Sequence, residues 1–368
     1  MNSMIPVAKP VLGDAEIAAA VRVLRSGALV QGAEVAAFET EFSSMVEGRH
    51  CIAVNSGTTA LWLSLLGLGI GPGDEVIVPS FTFAATAAAV RLVGATCVFA
   101  DIDPDTYCID PAAAAAAVTS RTAAIIPVHL YGHPAEMDQL LKLAGRHGLA
   151  LLEDAAQAHA ATFNGQPTGT FGTAAAYSFY PTKNMQAVEG GMITTADPEL
   201  ARRLRMLRNV GMATRYRYEI VGTNGRLSDV FAAIGREQLR QLPAFTQARR
   251  DNAARLTAAL SDLPGIAVPQ PGPGIGHAFH QYTVRITPGL DRDTVAQQLQ
   301  HDGVGCGVHY PNPLHRSPAY RTAVRLPHTD AAARQVLSLP VHPALTGHDL
   351  DRIAAAVARH AYPRQLVA

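Results

Sequence analysis

Between residues 50 and 200, short apolar runs alternate with longer stretches whose apolar residues recur every three or four positions. Runs at 76–80 (VIVPS), 96–102 (TCVFADI), 123–130 (AAIIPVHL), 149–154 (LALLED), 174–180 (AAAYSFY) and 191–195 (GMITT) predict buried strands. The stretch at 135–148 (AEMDQLLKLAGRHG) has helical spacing and a glycine stop, and similar stretches separate several of the runs. Strands alternating with helices predict a mainly parallel sheet covered on both faces, with ligands at the carboxyl ends of its strands. Beyond Pro243 the pattern changes. A long helix (244–260), a Pro/Gly-rich stretch (269–277), a strand (281–286) and helices at 292–301 and 349–361 predict a smaller α/β domain. The expected organisation is therefore a large domain at 1–243, including the N-terminal segment, and a small C-terminal domain at 244–368.

Composition narrows the class. The 368 residues are 48% hydrophobic and 16% charged, enough for a large core and far from a disordered chain. Thirty acidic and thirty basic residues cancel, so no electrostatic footprint for nucleic acid exists. So few charges leave little polar surface for a free monomer, and an oligomer with a broad apolar interface is expected. The N-terminal segment lacks the charged start and apolar stretch of a signal peptide. The most apolar stretch, 83–100, is broken by Arg91 and Gly94, so no membrane span is expected. Cys51, Cys97, Cys108 and Cys306 form no C-x-x-C pair and fit a reduced, cytoplasmic setting.

Lysine occurs only at Lys9, Lys142 and Lys183; every other basic residue is arginine. Lys183, in YSFYPTKNM, directly follows an apolar strand, where partial desolvation would lower its pKa and make its amine a Schiff-base nucleophile. It reads otherwise as a solvated loop lysine. Lys142 faces outward from an amphipathic helix, and Lys9 is uninformative. Asp154 ends the strand LALLED, where an open sheet binds ligands, and a buried carboxylate there needs a cationic partner such as a protonated pyridine nitrogen. The competing reading is a helix cap. Its neighbour Glu153 should by alternation point to the other face. In NSGTTAL, Gly57, Thr58 and Thr59 open a helix after a short strand, a pattern that fits an anion site or an ordinary Ser/Thr cap. Ser178 would join it if its strand ends nearby. Phe81 and Phe83, in PSFTF, could each stack on a planar ring or sit in the core. Among the 14 histidines, His129 and His133 have i, i+4 spacing, but Gly132 and Pro134 break the helix, so no metal is expected. Dinucleotide and P-loop glycine motifs are absent.

Taken together, SGTTAL, PSFTFAAT, EDAAQAH, SFYPTKN, EGGMI, GTNGRLSD and HYPNPLH resemble, in order and spacing, the pyridoxal-phosphate-dependent nucleotide-sugar aminotransferases of the DegT/DnrJ/StrS group. The resemblance covers essentially the whole chain from Ile5. It implies a fold-type I α/β aminotransferase and a homodimer with shared active sites. Lys183 then matches the lysine that holds pyridoxal 5'-phosphate as an internal aldimine, Asp154 the partner of its pyridine nitrogen, and Gln157 the side chain near its ring hydroxyl. Phe83 matches the stacking aromatic, leaving Phe81 to the core. Gly57, Thr58 and Ser178 match phosphate ligands. Asn224 matches an asparagine reaching the phosphate bound to the other subunit. His309 and Tyr310 match a stretch lining the sugar-nucleotide pocket. One departure stands out: many members have glycine where this chain has Val188, a change expected to reshape the loop next to Lys183.

The implied reaction is transamination from L-glutamate to a keto group of a nucleotide-diphosphate sugar, a 4-keto-6-deoxyhexose or a 3-keto relative. Alternatives are a cyclitol or other cyclic ketone as acceptor, a sugar dehydratase (disfavoured because those relatives carry histidine in place of the lysine), and a non-catalytic regulatory protein that binds the cofactor.

Overall fold

The computed structural model describes residues 4–362, so the first three positions of the N-terminal segment and the last six of the chain lie outside the described residues. Seven strands form the main sheet: β1 (His50–Val54), β2 (Glu75–Pro79), β3 (Thr96–Ala100), β4 (Thr122–Ile125), β5 (Ala150–Asp154), β6 (Ala174–Ser178) and β7 (Gly191–Thr195). Their order is β1-β7-β6-β5-β4-β2-β3. Only β7 runs against its neighbours; β6, β5, β4, β2 and β3 are mutually parallel. Every residue of β2, β6 and β7 is buried, as expected when helices cover both faces, and this explains their nearly unbroken apolar runs.

Helix α1 (Asp14–Ser26) and α2 (Ala33–Ser43) precede the sheet; α3 (Gly57–Gly67) and α4 (Ala84–Leu92) follow β1 and β2. Ser56 starts α3 by accepting a hydrogen bond from the Thr59 amide at 3.1 Å. Helix α5 runs from Asp229 to Leu260, 32 residues with Pro243 inside it. Its first half was not expected: a proline normally marks a helix start or break. Contacts made by the stretch before the proline hold that half in place. Gln238 donates to the Val11 carbonyl at 2.9 Å and to Glu16 at 2.6 Å. Gly235 lets the helix settle on Phe38, whose ring lies 2.9 Å from where a Cβ would be. Since α5 crosses position 243 unbroken, no linker marks the expected boundary.

The C-terminal sheet consists of β8 (Ile266–Ala267), β9 (Tyr282–Ile286) and β10 (Val336–Leu339), in that order and antiparallel. With Leu256 and Leu260 of α5 and with Ile353 and Val357 it encloses a separate core. Ile5 belongs to this core, its amide donating to Gly303 and its carbonyl accepting from Gly305. The N-terminal segment is thus anchored at Ile5 on the C-terminal core, through a backbone bridge to Val304 that leaves no periodic signal. Among the described residues no helix is long and apolar enough to cross a membrane.

Candidate active site

A cavity of about 360 Å³ lies at the carboxyl ends of β5 and β6 and the N-terminal ends of α3 and α4. Residues 280–281 and 309–310 close it from the C-terminal side. Gly57, Thr58, Phe83, Asp154, Gln157, Ser178, Lys183, His309 and Tyr310 all line it. Asn224 does not: it is exposed and bridges to Asn209, and its carbonyl accepts from Asn55 at 3.5 Å.

The pleat of β5 sends its last two side chains to opposite faces, as alternation requires. Glu153 is wholly buried, and its carboxylate accepts from the amides of Gly169 (2.7 Å), Phe171 (2.9 Å) and Gly172 (2.8 Å) and lies 3.0 Å from His129 Nε2. Burial alone would raise its pKa, but these partners hold it below the usual carboxylate range. Asp154 faces the cavity with fewer partners: Thr86 Oγ1 donates to Oδ2 at 2.8 Å and the Ala156 amide to Oδ1 at 3.2 Å. Here burial prevails and the pKa is raised. Each oxygen keeps a lone pair, so the carboxylate remains short of a cation.

Lys183 sits on the 179–190 loop between β6 and β7, its amide donating to the Tyr180 carbonyl at 2.9 Å. Its ammonium has no hydrogen bond or ion pair among the described residues. Desolvation lowers its pKa to about 8, with the Asp154 carboxylate opposing. Val188, on the same loop, has φ +64°, a glycine-like conformation. The valine therefore sits in the left-handed region, at a strain of about 1–3 kcal/mol. Its amide donates to Gln186 Oε1 at 2.6 Å, and its side chain is exposed.

Gln157 is oriented from both ends: its Oε1 accepts from the Tyr131 amide at 2.7 Å and its Nε2 donates to the Tyr310 hydroxyl at 3.2 Å. Tyr131 in turn donates through its hydroxyl to the His309 carbonyl, tying 309–310 to the sheet end. Phe83 is 58% exposed with its ring 6.1 Å from that of Tyr310, whereas Phe81 is fully buried, which separates two aromatics that sequence left equivalent. At the other end of the cavity, a Cβ on Gly57 would stand 2.7 Å from that of Ser178. Only glycine lets the start of α3 and the end of β6 approach so closely, and the Gly57 and Thr58 amides, in the first turn, have no intrahelical acceptor.

Sequence reading missed Thr86, which fixes Asp154; the signal available was a hydroxyl in the first turn of the helix after PSFTF. It also missed His280 and Gln281, which enter the cavity from just before β9, about 100 residues beyond Lys183; His159, outside the cavity's lining, is a fully buried ring whose pKa burial lowers to about 3. His129 uses its nitrogens on Glu153 and the Ala135 amide. Among the described residues no group of three or more His, Cys, Asp and Glu side chains is placed to hold a metal.

Comparison with known proteins places this architecture. The DegT/DnrJ/EryC1/StrS aminotransferase family matches residues 10–358. A dTDP-3-amino-3,4,6-trideoxy-alpha-D-glucose transaminase of Streptomyces venezuelae is 46% identical over 92% of this chain and 90% of its own. A UDP-N-acetyl-3-dehydro-alpha-D-glucosamine 3-aminotransferase of Acidithiobacillus ferrooxidans is 42% identical over 92% and 91%. The solved PLP form of the putative sugar aminotransferase Spr1654 of Streptococcus pneumoniae superposes with a TM-score of 0.92 at 28% identity, covering 97% of this chain and 98% of that one. A fold-type I sheet ending in this cavity, matched along nearly its whole length, makes the chain a member of the DegT/DnrJ/EryC1/StrS aminotransferase family, a sugar aminotransferase dependent on pyridoxal phosphate.

Proposed function

We propose that this protein moves an amino group from L-glutamate to the C3 keto group of a nucleotide-diphosphate sugar. The observation that carries the position is that two relatives above 40% identity, one named for a dTDP sugar and one for a UDP sugar, both carry the nitrogen at C3 in their names. It favours the 3-keto acceptor over the 4-keto-6-deoxyhexose that the sequence also suggested.

The cavity's residues fit the cofactor. The close approach of Gly57 to Ser178, with the free amides of Gly57 and Thr58, forms a cradle suited to a phosphate at a helix N-terminus. Asp154, short of a cation, suits a protonated ring nitrogen, and Thr86 keeps its carboxylate aimed. Gln157 Nε2 would face the ring hydroxyl and Phe83 would cover one ring face. When bound, pyridoxal phosphate supplies the carbonyl that takes the amino group and a ring that absorbs the electron pair left on carbon.

Lys183 does the proton work. Its Nζ, with a pKa near 8, holds a useful share of the free amine near neutral pH. That amine takes a proton from the α-carbon of the donor and returns one to the sugar carbon in the second half of the cycle. Asn224 would act across a homodimer interface. In support, it stands outside its own chain's cavity, a few residues along the chain from Tyr216, Tyr218 and Val221, which are 71%, 61% and 94% exposed.

The test is to convert the protein to its amine form and mix it with dTDP and UDP sugars bearing 3-keto or 4-keto groups, following the return of the aldehyde absorbance. Fastest return with a 3-keto sugar is expected. Faster reaction of the 4-keto sugars moves the position, and reaction with cyclic ketones alone turns the reading to a cyclitol acceptor.

A further inference from the structure

A second cavity, about 110 Å³, shares Thr182, His280, Gln281 and His309 with the first. Its far wall is made by Val7 and Ala8 of the N-terminal segment, Leu339, His342 and Arg249. Arg249, on α5, is 6% exposed. Its Nη1 donates to the carbonyls of Phe279 (3.1 Å) and His280 (3.3 Å). Its Nε is buried without a partner, and neither Nε nor Nη2 has an acceptor among the described residues. No carboxylate there pairs with it, and burial lowers its pKa to about 10.

The surroundings add no counter-charge. His342 has Nε2 at 3.1 Å from the Pro6 carbonyl and Nδ1 without a partner, and His280 Nδ1 lies 3.3 Å from Asn184 Oδ1. Burial lowers the pKa of both rings, so they are neutral near pH 7 and the guanidinium is the fixed charge of this cavity. A buried cation with no anion costs several kcal/mol of folding stability, unless an arriving ligand completes it. Two adjacent unused N–H groups are the arrangement that grips a carboxylate side-on.

We propose that Arg249 receives a carboxylate of the amino donor, with the small cavity as that carboxylate's subsite. The proposal rests on the transamination reading above and names where its donor is held. The cavity is far below the 300 Å³ or so of a site for a drug-sized ligand, which excludes a nucleotide, yet it adjoins the space at Lys183 where the donor's carbon must lie. The N-terminal segment, anchored at Ile5, supplies part of the wall, which gives its docking on the C-terminal core a consequence for the site.

The probes are glutarate, a five-carbon dicarboxylate without an amine, and its uncharged diamide, glutaramide, titrated calorimetrically into the holoenzyme. Glutarate should bind at least about tenfold more tightly, as a charge-assisted contact implies, and Arg249→Met should erase that preference. The glutamate half-reaction of Arg249→Met should fall at least about tenfold more than the reaction of its amine form with the keto sugar. Equal binding of the two probes to the wild-type protein would overturn the proposal without any variant. A preference that survives in Arg249→Met would also overturn it, as would equal loss of the sugar half-reaction, which would reduce Arg249 to a clamp on the 279–280 carbonyls. Failure of the wild-type amine form on every keto sugar would strike the proposed acceptor instead and leave the glutarate comparison intact.

Discussion

Glu153 and Asp154 are neighbours on one strand, both buried, yet the two faces of β5 treat them in opposite ways. On the Glu153 face, three backbone amides and His129 satisfy the carboxylate, and its pKa falls. On the Asp154 face, one hydroxyl and one amide leave it under-supplied, and its pKa rises. A carboxylate with all its partners inside the chain has nothing left to offer a ligand; it fastens the 169–172 segment to the sheet. One kept short of partners at a cavity is held ready for a cation from outside. What separates a structural from a functional charge here is therefore the number of internal donors and not depth of burial.

The contrast can be broken first at the amine. Lys183→Ala should abolish turnover in a steady-state assay, because no other lysine lines the cavity. Asp154→Asn should retain the cofactor but lower kcat by a factor of a hundred or more, about 3 kcal/mol of barrier at about 1.4 kcal/mol per tenfold, since a neutral amide cannot hold a ring nitrogen protonated. Near-wild-type turnover would return Asp154 to a helix-cap role.

The proposed sharing of the site between two subunits gives a smaller signal. Lys183→Ala and Asn224→Asp are each expected to be inactive, the second by setting a carboxylate against the phosphate. Equal amounts, allowed to exchange subunits, should recover roughly a quarter of wild-type activity, because half the dimers are mixed and each carries one intact site. No recovery after confirmed exchange would place Asn224 within its own chain's site.

On the other face, Glu153→Gln should leave turnover per folded molecule close to wild type while lowering stability by about 3 kcal/mol, since an amide meets the three N–H donors with only one acceptor oxygen. The pH dependence has a definite sign. The folded pKa of Glu153 is depressed, so its stabilisation is present above the unfolded value of about 4.3 and is lost as the pH falls toward the folded one. The gap in denaturant midpoint between wild type and Glu153→Gln should thus narrow as the pH falls below about 4.3. A gap constant with pH would mean the charge of Glu153 contributes nothing.

How much of this was legible in the sequence follows from distance along the chain. The strand runs of the large sheet are buried on both faces, so their apolar character is local and their ends could be placed within a few residues. The split between Glu153 and Asp154 is a local pleat and was readable too. Pro243 misled, because proline's local effect is real and contacts from α1 and α2 override it. His280 and Arg249 reach the two cavities only through tertiary placement, and nothing in their own neighbourhoods distinguishes them from a strand-edge histidine or a helical arginine. Val188 was visible as a departure, but not that its φ would be positive.

The central claim is that the chain's function gathers at the Asp154 face around one amine. Borohydride reduction of the purified holoenzyme, followed by peptide mapping, tests it most directly. The account predicts that the reduced cofactor is found on the peptide carrying Lys183; label on Lys9 or Lys142 would contradict it.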